Sequence, residues 1–133
     1  MLIDHHLPFN FGDINGAFSC SNCEDLYTLQ GAPEKCKSFY CNNCNNLTSL
    51  VGAPKEVEYT FDCSDCKNLP NLEGITQIVE YIDVARCSSL TSLIGCPKKI
   101  KGNLDCSKTA IKNLIGAPEY IGKYFDCKWC NNL

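Results

Sequence analysis

The sequence predicts a mainly β solenoid, a coil with one parallel β-sheet and a helix-poor return path, and two periodicities predict it. The longer is a repeat of 21 or 22 residues, opened in turn by Leu7, Leu29, Leu50, Leu72, Leu93 and Leu114. Self-similarity at a spacing of roughly 20 to 50 residues marks an array, in which each unit buries its apolar face only against its neighbours. The shorter period lies inside the unit. Phe18, Phe39, Phe61, Ile82, Leu104 and Phe125 form one column, and two residues later stand Cys20, Cys41, Cys63, Val84, Cys106 and Cys127. Side chains at i and i+2 of a strand share a face, so each unit carries one half-buried strand.

Read in order, residues 1–6 form an N-terminal segment. The units follow as 7–28, 29–49, 50–71, 72–92, 93–113 and 114–133, a single domain with no room for a second. Met1 to Leu7, with Phe9 and Phe11, are expected to fold over the first layer as a small cap. After its Leu, the second, third and sixth units turn on a Gly-Ala-Pro step and the fifth on Gly95-Cys96-Pro97; the fourth has Gly74, Ile75 and Thr76 instead. Only about ten residues separate that Leu from the next strand. With prolines at 33, 54, 97 and 118, this leaves space for a short 3₁₀ turn or extended chain rather than a long helix. In four units the apolar residue before the strand (Ile14, Val57, Ile100, Ile121) comes one place early, which predicts a bulge. Each strand ends at a third column, Cys23, Cys44, Cys66, Cys87, Thr109 and Cys130, closed by Leu26, Leu47, Leu69, Leu90, Ile111 and Leu133.

This core, LxLxxCxxL with Cys in the Asn place, resembles the leucine-rich repeat superfamily across residues 7–133. Where Thr109 replaces Cys, the closing residue follows after one intervening position instead of two, the length difference between Asn/Thr-type and Cys-type repeats. The resemblance implies a right-handed coil whose parallel strands line a concave side. It also implies a ladder in which the small donor of the third column reaches backbone carbonyls of the turn. The LxGAP style is similar to repeats of bacteriophage and bacterial proteins.

Twelve cysteines would ordinarily suggest a disulfide scaffold or a zinc protein. Ten of them fall in the two columns where a small buried side chain is wanted, and Cys36 and Cys96 also stand at core places. The four CxxC pairs invite a zinc or redox reading. Val84 argues against it, because it occupies a would-be ligand position while the register continues. Reduced thiols, no metal and no cofactor are expected, with a zinc-binding or redox protein as the alternative. The two histidines, His5 and His6, lie outside any nucleophile motif, and nucleotide-cradling loops are absent, so no enzyme activity is expected.

A net charge of −3 and a pI near 5.3 make nucleic acid an unlikely partner. No segment has the ~20 apolar residues of a membrane span, and the start lacks a signal-peptide pattern, so a soluble, cytoplasmic protein is expected. Function is expected on the outward strand positions. Between the two core columns lie Tyr40, Asp62, Asp83, Asp105 and Asp126, flanked by Tyr59, Tyr81, Tyr124, Arg86 and Trp129. Carboxylates about 5 Å apart on neighbouring strands repel, and packing alone gives no reason for them. Aromatics beside charge suit a protein interface for a basic partner. The expectation is a non-enzymatic interaction module binding through its concave face; the resemblance extends this to a phage-encoded inhibitor of a host defence protein such as a CRISPR effector. A self-assembling structural unit is the other alternative, through the last strand, which nothing caps.

Overall fold

The computed structural model describes residues 5–133. Chain stretches rich in β-branched and aromatic residues alternate with Gly-, Pro- and Asn-rich turns, and each such stretch becomes a short strand. In chain order these are β1 (Ala17–Ser19), β2 (Lys35–Tyr40), β3 (Glu56–Asp62), β4 (Tyr81–Asp83), β5 (Lys99–Ile100), β6 (Leu104–Asp105), β7 (Tyr120–Ile121) and β8 (Phe125–Asp126). Six of them form one parallel sheet in the order β1-β2-β3-β4-β6-β8. Consecutive repeats therefore lie side by side, and the chain is a parallel β-solenoid. No helix occurs among the described residues, so the return path is turn and extended chain.

The register is that of the repeat. Phe18 pairs with Phe39, Phe39 with Phe61, Phe61 with Ile82, Ile82 with Leu104 and Leu104 with Phe125. The rings of Phe18, Phe39 and Phe61 stack at centroid spacings of 5.5 and 5.3 Å. Most of this column, the Cys column and the repeating Leu residues are fully buried and form one continuous core. The predicted bulge is present in β3. Cys36 pairs with Val57 but Ser38 with Thr60, so one extra residue sits in β3 beside the β2 backbone. Farther along, the same extra residue divides the strand in two, and β5 pairs with β7 in a second, two-stranded parallel ladder.

Both ends of each strand are closed by repeated devices. After the apolar Leu, the turn glycine adopts positive φ; at Gly52 φ is 92°, and an added Cβ would lie 2.5 Å from the Gln30 nitrogen of the preceding coil. Only glycine permits both the dihedral and the approach. At the other end the thiol ladder is formed. The Sγ of Cys44 donates to the Cys20 carbonyl, Cys66 to Cys41 and Cys87 to Cys63, each at 3.2 Å, and Cys130 donates to Cys106 at 3.1 Å. Thr109, in its shorter turn, donates instead to the Cys106 carbonyl of its own unit at 2.8 Å. All twelve cysteines are free thiols; Cys23 and Cys127, at the two ends, are half-buried and the other ten buried.

Of the expected N-terminal cap, residues 1–4 lie outside the described residues. Leu7 is buried, and the Phe11 ring meets Phe18 edge-on at 4.9 Å, whereas Phe9 is exposed. Among the described residues no helix is long and apolar enough to cross a membrane.

Candidate interaction face

Two columns of each main-sheet strand point away from the core. One holds Ser19, Tyr40, Asp62, Asp83, Asp105 and Asp126, which are directly in register from strand to strand. The other holds Ala17, Ser38, Thr60 and Tyr81, with Tyr124 in the same place before Phe125. Tyr59 belongs to neither column. It is a bulge residue of β3, exposed, and the neighbouring Glu58 carboxylate raises its hydroxyl pKa.

The Asp row corrects one part of the sequence argument, because the row does have a structural use. In every case Oδ1 accepts the backbone N–H two residues on, at 2.9 Å: Asp62 from Ser64, Asp83 from Ala85, Asp105 from Ser107 and Asp126 from Lys128. These are Asx turns, in which a short carboxylate satisfies a donor that the turn would leave unpaired. Ser19 makes a longer version of the same contact to the Ser21 nitrogen, 3.4 Å.

Charge nevertheless accumulates. Lys128 lies 3.7 Å from Asp126, but Asp62, Asp83 and Asp105 have no ion-pair partner among the described residues. Burial lifts the Asp83 carboxyl above the usual carboxylate range; the Ala85 N–H and the Arg86 charge oppose this, and the Asp62 and Asp105 charges add to it.

Next to the Asp row runs a column that sequence reasoning did not isolate: Asn22, Asn43, Asp65, Arg86, Lys108 and Trp129 all have φ between 57° and 61°. The signal was present in its first three members, since Asn and Asp tolerate this left-handed conformation best. The column also bonds along the stack. Asn43 donates to Asn22 at 2.8 Å, and Arg86 grips Asp65 through Nε and a terminal nitrogen, 2.8 to 3.0 Å. Arg86 is thereby committed to Asp65. Trp129 stands 71% exposed at the end of the column.

The tyrosines divide. Tyr124 is 73% exposed and ready for contact. Tyr81 is half-buried, with Lys123 Nζ 2.6 Å from its hydroxyl and 5.1 Å from its ring centroid. Beside Tyr59 lies a shallow groove lined by Glu56, Glu58, Ile78, Glu80 and Lys101; Ile78 is exposed, and Glu56 and Glu80 pair with Lys35 and Lys123 at 3.1 and 3.8 Å. This groove was missed because its members come from three successive repeats and meet only once the coils are stacked.

The CxxC thiols point elsewhere. The turn members Cys44, Cys66 and Cys130 donate to carbonyls; burial pushes Cys44 up to about 11 and raises Cys20, Cys41 and Cys66, as it does Cys87 and, to about 12, Cys96 outside the pairs. Among the described residues no three His, Cys, Asp or Glu side chains group as a metal site requires. No family model matches the chain, and neither a curated protein nor a solved structure matches it significantly.

Proposed function

We propose that the chain is a non-enzymatic protein-binding module whose outward sheet face, concave by the leucine-rich-repeat resemblance, takes a partner protein with a basic surface. The observation that carries this reading is the in-register Asp row. Turn closure explains one oxygen of each carboxylate, and Asn or Ser would close the turn equally well. Three adjacent unpaired charges raise the energy of the fold, and a cationic partner is what would relieve it. Tyr40, Tyr124 and Trp129 border the row as anchors, and the Glu56–Glu80 groove with Ile78 suits the stem and head of a Lys or Arg.

By the resemblance to LxGAP repeats of phage and bacteria, the role extends to inhibition of a host defence protein in the cytoplasm, such as a CRISPR effector. The test is capture of a basic protein from a host lysate by the immobilised chain at low and high salt. Asp83→Asn with Asp105→Asn keeps both turn acceptors and removes two charges. Capture that survives the double substitution and high salt would sink the proposal. A zinc or redox role for the CxxC pairs is the rival; one stoichiometric zinc per chain, purified without chelator, would establish it.

A further inference from the structure

We propose that the notch at the short turn of the fifth unit is a small-molecule site, which takes a purine nucleoside monophosphate with its base on Trp129 and its phosphate on Lys108. This goes beyond the protein-binding reading and does not rest on it.

The notch follows from one missing residue. In the other five units two residues separate the third-column side chain from the closing Leu, whereas only Ala110 separates Thr109 from Ile111. The fifth turn is thus shorter than the turns of the fourth and sixth units on either side of it. A cavity of about 560 Å³ lies there, lined by Thr109 and Ala110 of the fifth unit, Ser88 of the fourth, and Asn131 and Asn132 of the sixth, with Lys108 and Trp129 beside them. It is a gap between coils rather than an end of the stack, and its volume is in the range of small-ligand sites.

The polar side chains around it are free. In earlier turns the asparagines bond back to the coil before: Asn46 Nδ2 donates to the Glu24 carbonyl and Asn68 Nδ2 to the Asn45 carbonyl, both at 2.7 Å. Asn132 stands in the same place next to the short turn and makes no such bond among the described residues. The left-handed column pairs Asn22 with Asn43 and Asp65 with Arg86, which leaves Lys108 and Trp129 over. Among the described residues Lys108 has no ion-pair partner, and the side chains of Ser88, Trp129 and Asn131 make no hydrogen bond.

These unmade bonds define the ligand. Among the described residues no carboxylate lines the notch and one ammonium does, so the ligand carries an anionic group. The indole offers a stacking face to a flat ring. Asn131 and Asn132 each present a donor and an acceptor, the pair with which an amide reads the edge of adenine. A flat ring, a hydrogen-bonding edge and one anion together make a nucleoside monophosphate, and a single lysine suits one phosphate rather than a chain of them.

Trp129 is the only tryptophan, so its fluorescence reports the notch directly. The test is titration of the chain with AMP, with excitation beyond the absorption of adenine. The expected result is quenching that saturates in the roughly millimolar range. Adenosine should bind about tenfold more weakly, and ribose phosphate should leave the emission unchanged. Lys108→Gln should bring AMP down to the affinity of adenosine and leave adenosine itself unaffected. Thr109→Cys with one Asn inserted after Ala110 restores the full-length turn; it should keep the circular dichroism of the parent and lose saturable quenching. If the longer turn does not fold, Lys108→Gln decides alone. Quenching by AMP that rises without saturation overturns the proposal. Saturation that Lys108→Gln leaves intact overturns it too, because the ligand would then be stacking on an exposed indole outside the notch.

Discussion

At Asp83 one carboxylate accepts the Ala85 N–H at 2.9 Å while standing in register between Asp62 and Asp105. Its pKa is raised in the folded chain, chiefly by burial, so the charged form opposes folding. The associated stability is whole below the ordinary carboxyl pKa and is lost as pH rises through the folded value. Asp83→Asn keeps the acceptor and removes the charge. It should raise stability at pH 7 by about 0.5 to 1 kcal/mol in urea denaturation, and the gain should vanish near pH 3. Asp83→Ala gives up the turn closure and should fall about 1 kcal/mol below the Asn variant at either pH. The charge row was legible in the sequence as a column of Asp; its turn-closing half was not. A side chain that bonds a nitrogen two residues away leaves no mark beyond its own identity, and Ser49, Asn71, Ser92 and Asn113 do the same before the convex turns.

At the scale of the elements, strand and turn were legible because the burial pattern has period two and the turn glycines recur. Phe, Cys and Leu columns mapped directly onto the core. The bulge was also legible, from the early placement of Val57 and Ile100. What escaped was its consequence, the split of the later strands and the second ladder, because strand continuity depends on where neighbouring backbones settle. Successive coils pack closely at the glycine turns. Gly52→Ala forces a Cβ against Gln30 and a side chain into positive φ, and should cost about 2 kcal/mol or more in chemical denaturation. Gly12, which has open space around it and no positive φ, should accept Ala with little change, measured the same way.

The whole molecule is a stack of thiols protected by its own core. Burial raises the pKa of Cys20, Cys36, Cys44, Cys66, Cys87, Cys96 and Cys106, so the folded chain keeps protons that the unfolded chain releases above about pH 9. Their contribution is full below that pH and is lost as pH rises toward the folded values. The urea midpoint should therefore fall steeply between pH 8 and about pH 11. A thiol reagent at pH 8 should modify the half-buried Cys23 and Cys127 rapidly and all twelve only after denaturation.

Thr109 also sets where the stack divides. Because it bonds within its own turn, no thiol joins the fifth coil to the Val84 carbonyl of the fourth, while the junctions on either side keep theirs. A linear array held by nearest-neighbour contacts opens at its weakest joint. Backbone amides of residues 104–133 should thus exchange with deuterium as one block, ahead of residues 36–90. Thr109→Cys alone should not close the difference, since the turn remains one residue short.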